Sequence, residues 1–481
     1  MIKKQSYKSI IVLTVLLLLF LAGCSSSKST TSSSPDSKEE TKSSKPIDGG
    51  EFSYALSTAP DTLDPQVSGM AVATRVIKSV FETLVYQTKD HKVEPWLATD
   101  WEISDDNKTY TFKLRKDVTF HDGSKFNADV VKFNFDRILN PATRAATAAA
   151  YIEKLDSVEV VDDYTIKFHL SGPSATFLTI LAHSNLSIVS KEAVEKYGDQ
   201  FATHPVGSGP FKFVEKVDND RIVLEKNENY HGNYPLAKHD GTAYLDKLIF
   251  KIIPEEATRI GSVQSGQIDA VETVPPQDVV AIKASKQLNI LDAATAGLPY
   301  TLFINNTSEP WNNKKARSAI KSAIDVDTIV NTLYLGTYKR AWSALAPSTF
   351  GYNKSLEKKE FYNLKKANEL FDELGWKKGS DGIRKKDGKT LSLRILDDAV
   401  NREKRQDITL MVQQQLKEVG VKVEIITTSD ARSFLKDPNG YDIRGNSRVA
   451  LDPDDLRLFY HSQKTIDTWW NQHSLAERSG D

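Results

Sequence analysis

Residues 110–137, "YTFKLRKDVTFHDGSKFNADVVKFNFDR", place a His, two Asp and an Arg around one turn at His121-Asp122-Gly123. Such a group could bind a metal or move protons if the fold brought it together. The local pattern offers each residue a simpler task. Tyr110, Phe112 and Leu114 alternate with Thr111, Lys113 and Arg115, which predicts a half-buried strand, with Val118 and Phe120 continuing it past a kink. Asp122-Gly123 is a turn signal, because Gly tolerates positive φ. Asn127 can cap the next helix, Asp129 suits its positive first turn, and Asn140-Pro141 stops it. His121 has no second His or Cys at ligand spacing. The cluster reads as scaffolding, with no catalytic residue, no metal site and no cofactor.

Other chemistry is also missing. The chain has no HExxH, Walker A, GxGxxG or GxSxG motif. Pro205-Val-Gly-Ser-Gly-Pro-Phe-Lys-Phe213 is rich in Gly, but it enters a strand rather than a helix and lacks the Lys-Ser/Thr of a phosphate loop. Cys24 is the one cysteine, which rules out an internal disulfide and a multi-Cys zinc site. A carboxylate pair across a cleft leaves no mark in a linear sequence, so a cell-surface hydrolase acting on cell-wall peptide or glycan stays as an alternative of another class.

The N-terminus carries a different message. Lys3, Lys4 and Lys8 precede an apolar block from Ile10 to Leu21, too short to span a bilayer core of about 30 Å. It ends in Leu21-Ala22-Gly23-Cys24, which resembles the bacterial lipoprotein signal, so cleavage after residue 23 and lipidation of Cys24 are expected. Ser25 to Lys45 is nearly all Ser, Thr, Lys, Asp and Glu and cannot offset its ordering entropy. Residues 1–23 therefore read as a signal peptide and 24–48 as a flexible tether. This places the protein at the cell membrane, lipid-anchored on the extracytoplasmic face.

The body is large enough for two or three domains: 481 residues, 40% hydrophobic and 26% charged. Its 63 basic and 64 acidic residues give no global field that would attract nucleic acid. Strands are predicted over 51–56, 165–170, 221–225 and 248–253. Helices are predicted over 72–85 and, more briefly, 258–265. From Tyr300 strands and helices alternate: strand 300–304, helices 315–324, 327–334 and 364–374, strand 391–396, helix 403–419, strand 421–426. Gly375 and Gly420 close two of those helices. The last three elements read as a βαβ crossover, hence a partly parallel sheet with ligand sites at its strand ends.

Several short stretches, in order across residues 50–460, resemble the family 5 solute-binding proteins of ABC importers. They are Thr62-Leu-Asp-Pro65, Phe81-Glu-Thr-Leu-Val85, Pro95-Trp-Leu-Ala98, Tyr110-Thr-Phe-Lys-Leu-Arg115 with Phe120-His-Asp-Gly123, Pro205-Val-Gly-Ser-Gly-Pro-Phe211, Gly266-Gln-Ile-Asp269, Ala316-Arg-Ser-Ala-Ile-Lys-Ser-Ala-Ile-Asp325 and Asp452-Pro-Asp454. The resemblance implies an α/β, two-lobed periplasmic-binding-protein-like (type II) fold that closes on its ligand. Lobe I would span 49–299, with an inserted subdomain at about 86–200, and lobe II 300–481. The family's return to lobe I is expected to be missing, since Lys464 to His473 does not resemble it; the expectation is a truncated product of poor stability.

The implied function is capture of oligopeptides or dipeptides for a membrane permease, by a monomer, without chemistry; a nickel or metal-chelate receptor is the alternative. In the peptide receptors an acid shortly before Asp-Pro meets the peptide ammonium. Here that acid is missing from Asn446-Ser-Arg-Val-Ala-Leu-Asp452 and Arg448 sits nearby, which suits an anion. Arg405 lies near where dipeptide receptors place an Arg for the peptide carboxylate. Gly69, Met70 and Asn305 are further ligand-binding candidates by position.

Overall fold

The structure, a computed structural model, describes residues 46–460 apart from 233, 400, 431–433, 435, 436 and 438. Cys24, the tether as far as Lys45 and the segment 464–473 lie outside the described residues. Of the five sheets among the described residues, three larger ones organise the fold, each with its own apolar core.

The first sheet holds Glu51–Leu56 parallel to the central strand Lys247–Ile252 on one side and to the edge strand Ala270–Val271 on the other. Arg221–Lys226 and Phe211–Val217 extend it antiparallel. The helix Ala71–Val80 lays Val72, Val76, Ile77 and Val80 into the core beside Leu56, Phe81 and Phe250. Its periodicity predicts continuation to Val85, yet it ends at Val80. Gly209 N–H takes the Val80 carbonyl at 2.9 Å, and Phe81 turns extended. A tertiary hydrogen bond thus replaces the next helical one. The approach is so close that a Cβ on Gly207 would meet the Val80 carbonyl oxygen at 2.0 Å, which no side chain tolerates.

The second sheet is antiparallel, in the order Ala98–Ile103, Thr109–Leu114, Thr165–Leu170, Leu155–Asp162. The expected alternation holds: Tyr110, Phe112 and Leu114 are buried. Phe112 and Phe135 both meet the edge or face of Phe168, at 5.6 and 4.7 Å between ring centroids. Each such ring buried contributes about 2 kcal/mol. Asn127 caps the Ala128–Leu139 helix by accepting from Val130 N–H at 3.0 Å. No strand forms at Val118 and Phe120; there the chain makes a turn closed by an isolated bridge between Thr119 and Lys125.

His121 fastens this turn to the first sheet's Gly-rich loop. Its Nε2 bonds the Gly209 carbonyl at 2.9 Å, and Gly207 N–H approaches Nδ1 at 3.4 Å. Burial holds the ring neutral, pushing its pKa down to about 4. Asp122 caps the turn through Ser124 and reaches Ser190 at 2.6 Å.

The third sheet runs Gly297–Ile304, Ile443–Val449, Ser392–Asp398, Lys422–Thr428. Ser392–Asp398 is parallel to both of its neighbours, and Gly297–Ile304 is antiparallel to Ile443–Val449. Arg405–Glu418 is the crossover helix; it starts two residues later than periodicity suggests, because Glu403 and Lys404 are left-handed. The helices Leu364–Glu373 and Arg405–Glu418 end before Gly375 and Gly420, both at positive φ as expected. Leu298, Phe303 and Phe459 belong to the core of the second sheet, so the third body is joined to it by apolar packing.

One acid lies at the joint between the first two sheets. Glu82 is buried and accepts from Ser208 Oγ at 2.6 Å and Tyr230 OH at 3.0 Å. Burial pushes its pKa up to about 7, only partly offset by those hydroxyls and by Arg115. A carboxyl whose folded value exceeds its ordinary 4.5 contributes stability fully below that value and loses it as pH rises through about 7. Glu82→Gln removes this dependence. Denaturant unfolding from pH 4.5 to 8 should show the wild type losing on the order of 2–3 kcal/mol relative to the variant; parallel profiles would refute the assignment.

Candidate functional site

Parallel strands with a crossover helix leave an opening beyond their carboxyl ends, beside the helix N-terminus. In the third sheet that edge is formed by Asp398, Val449 and the start of the Arg405–Glu418 helix. In the first sheet the matching edge is formed by Leu56, Val271 and the start of the Ala71–Val80 helix. Both edges open into one cavity of about 2670 Å³. That far exceeds the 300–1,000 Å³ of a typical small-ligand pocket and has room for a peptide.

The third sheet supplies the strongest chemistry. The Arg405 guanidinium lies over the Tyr300 ring at 4.7 Å, and its Nη2 donates to Glu403 Oε2 at 2.8 Å and Ser447 Oγ at 3.0 Å. Its Nε is buried without a hydrogen-bond partner among the described residues. Arg402 lies 3.8 Å from the same Glu403 carboxylate, and Arg444 approaches Asp398 at 3.9 Å. All of these residues line the cavity. Burial lowers the pKa of Arg402 and of Arg444, and the repulsion of Arg405 adds to it. Burial alone would raise Glu403, but Arg405 and Arg402 more than offset it and hold the carboxylate below its usual range. Three guanidinium groups therefore share this edge, in a partly desolvated setting that rewards an added anion.

Glu403 and Lys404 adopt φ of 55° and 58°. Two successive non-Gly residues in the left-handed region are strained. Tyr334 OH holds the turn by donating to the Glu403 carbonyl at 2.8 Å. From the first body, Arg75 and Glu272 pair at 2.8 Å across the cavity; Ser57 supports Glu272 through N–H at 2.8 Å and Oγ at 2.6 Å.

The sequence-based candidates fall into different places. Gly69 and Met70 lie on the cavity wall at the start of the Ala71–Val80 helix, and Gly69 N–H donates to Asp61 at 2.9 Å. Arg405 is on the opposite wall. Asn305 is buried with its amide turned into the protein, donating to the Tyr441 carbonyl at 3.1 Å and accepting from Thr307; its neighbour Asn306 is the one that reaches the wall. Arg448 is at the cavity rim but already matched. Its Nε donates to Asp455 at 2.8 Å, and its Nη2 meets Tyr151 of the second sheet's core. Asp455 is 4% exposed, so Arg448 fastens the third sheet to the second sheet's core rather than offering an open anion site. Sequence reasoning missed Glu403, Arg402, Arg444, Tyr300, Arg75 and Glu272. The run Arg402-Glu-Lys-Arg405 at a strand-to-helix junction was the available signal for the first two.

The comparisons agree with this geometry. Residues 92–467 match the model of the bacterial extracellular solute-binding proteins, family 5. The chain belongs to family 5. Among curated relatives, the glutathione-binding protein GsiB of Pectobacterium atrosepticum is 30% identical over 406 residues, 84% of this chain and 73% of GsiB. Among solved structures, DppA of Helicobacter pylori in complex with the peptide STSA has a TM-score of 0.77 and 27% identity, covering 90% of this chain and 86% of DppA. NikZ of Campylobacter jejuni in complex with Ni(L-His) has a TM-score of 0.75 and 25% identity, covering 88% and 83%. As a family 5 member, the chain is a solute-binding protein of an ABC importer with the two-lobed fold. The family is extracytoplasmic and its members are transport receptors rather than enzymes.

The Arg448–Asp455 pair can be tested through stability. Arg448→Ala leaves a buried carboxylate without its partner and should cost roughly 3–5 kcal/mol in denaturant unfolding. Replacing both residues, Arg448→Met with Asp455→Leu, should recover most of that loss. A single variant as stable as wild type would show the pair to be slack.

Proposed function

We propose that this chain is the lipid-anchored receptor of a peptide importer, tethered through Cys24 to the outer face of the cell membrane. It acts as a monomer, captures a short anionic peptide such as glutathione, and passes it unaltered to the membrane permease. The observation that carries the substrate reading is the gathering of three guanidinium groups, Arg405, Arg402 and Arg444, on the cavity wall at the third sheet's edge, where Glu403 and Asp398 lie among them. Peptide carboxylates satisfy such a cluster with charge-assisted hydrogen bonds. The curated relatives named for glutathione and the peptide held by DppA support the same class.

Binding energy shared between the two edges favours the closed arrangement, because a ligand shifts the equilibrium by its differential affinity for the two states. The closed form would then be what the permease recognises. NikZ points to a second reading, a nickel chelate. Among the described residues no group of three His, Cys, Asp or Glu could hold a metal ion. A metal cargo would therefore arrive with its own chelator, whose carboxylates would suit the same arginines.

Native mass spectrometry of protein purified from its own cells separates these readings. A peptide mass supports the first; a nickel-containing mass supports the second and overturns the first. In calorimetry, glutathione should bind the wild type, and Arg405→Ala should weaken it roughly 10- to 100-fold through loss of a charged hydrogen bond. The anchor has its own test: Cys24→Ser should move the protein from the membrane fraction to the soluble one, and a variant that still sediments with membranes would refute lipidation there.

A further inference from the structure

A guanidinium and a carboxylate held side by side are the mirror of one chemical group, the head of a free α-amino acid, which carries ammonium and carboxylate on one carbon. Arg405 and Glu403 form such a pair at 2.8 Å on the cavity wall. They are not a surface pair brought together by chance. Arg405 is fixed by Tyr300 beneath it and Ser447 beside it, with 13% of its side chain exposed. Glu403 is held by a left-handed turn that the chain adopts at two consecutive non-Gly positions, and the Tyr334 hydroxyl secures that turn. Strain of this kind is retained where it places a functional group. Arg402 adds a second cation at 3.8 Å from Glu403, so a ligand that takes Arg405 for its own carboxylate leaves Glu403 still anchored.

We propose that Glu403 is the specificity-determining residue of this site: with Arg405 it receives a zwitterionic α-amino-acid head, so that the receptor prefers γ-glutamyl peptides to ordinary α-linked ones. The proposal rests on the peptide-receptor reading above. In a γ-glutamyl peptide the α-ammonium and α-carboxylate are both free on one carbon. The carboxylate takes the Arg405 guanidinium and the ammonium takes Glu403 Oε. In an α-linked peptide the first residue's α-carboxylate is consumed in the amide bond. The ammonium can then satisfy Glu403, but no carboxylate shares its carbon to reach Arg405, and the free side-chain carboxylate of an α-linked Glu sits two methylenes farther off. Like composition and like net charge thus give different fits, which is how a site discriminates through unpaired groups rather than through total charge. The position also accounts for an oddity of the sequence. The acid expected a few residues before Asp452-Pro453 is absent, and Val449 and Arg448 stand in that stretch; Glu403, on the neighbouring loop, supplies a carboxylate at the same strand-end edge.

The test compares glutathione with its isomer Glu-Cys-Gly, linked through the α-carboxyl, by calorimetry on the wild type and on Glu403→Gln. The wild type should bind glutathione at least about tenfold more tightly than the isomer, the worth of one charged hydrogen bond. Glu403→Gln should lower glutathione affinity and erase the preference. Wild type binding both isomers equally would overturn this inference and leave the peptide-receptor reading standing. A Glu403→Gln variant that weakens both isomers by the same factor, preference intact, would reduce Glu403 to a positioning residue for Arg405 and equally overturn it. Binding of neither isomer would overturn this inference and the glutathione reading together. Thermal unfolding of Glu403→Gln alongside shows that the variant is folded.

Discussion

The cost of keeping guanidinium groups partly out of water governs this structure's working edge. Arg405, Arg402 and Arg444 crowd one end of a parallel sheet, and burial with mutual repulsion lowers the affinity of Arg402 and Arg444 for their protons. A protein tolerates this only with compensating charge. Glu403 and Asp398 supply part of it, and an anionic guest would supply more. The same imbalance that is a liability for the empty fold becomes binding energy for the ligand, and it becomes closing energy if the opposite wall, with Arg75 and Glu272, shares the guest.

Elsewhere matched charges fasten bodies together. Arg448 pairs with Asp455 and reaches Tyr151 of the second sheet's core, and Arg457 reaches Glu153, just before the strand Leu155–Asp162. Around them Phe303 and Phe459 meet at 5.6 Å between centroids inside the same core. The second sheet's body is therefore joined to the third sheet by apolar packing plus matched charge. To the first sheet it is joined by neutral His121 and buried Glu82. The two arginines of the same strand, Arg444 and Arg448, differ in role because one faces the cavity with Asp398 at 3.9 Å and the other meets a buried carboxylate at 2.8 Å.

Legibility in the sequence followed the locality of the cause. The strand Thr109–Leu114, the Asn127 cap and the helix ends at Gly375 and Gly420 were all readable, because alternation, a capping oxygen and a left-handed Gly act within a few residues. The scaffolding role of His121-Asp122-Gly123 was readable for the same reason. The strand Ile443–Val449 was not. It lies inside a sheet, yet its residues Arg444, Asn446, Ser447 and Arg448 are polar, since its carboxyl half serves the cavity instead of the core. The helix 72–85 was read five residues too long, because the Gly209 amide that ends it lies more than a hundred residues away. Asn305 looked like a cleft residue from its position, but its amide had been claimed by Tyr441 and Thr307.

By itself, the sequence determined the class of the molecule: an α/β chain with a βαβ crossover, ordered short motifs of one receptor family, and no motif for bond-breaking chemistry. It also determined that a partly parallel sheet would place the ligand at strand ends, since that follows from handed connections alone. Only the tertiary structure decided which charged residues stand at that edge and which are spent on holding the bodies together. Arg405 and Arg448 are the same residue type at neighbouring elements. What separates them is the identity of the nearest carboxylate and its exposure, Glu403 on the open wall for one and Asp455 in the interior for the other. That is a fact about distances in space, and no local pattern in a chain encodes it.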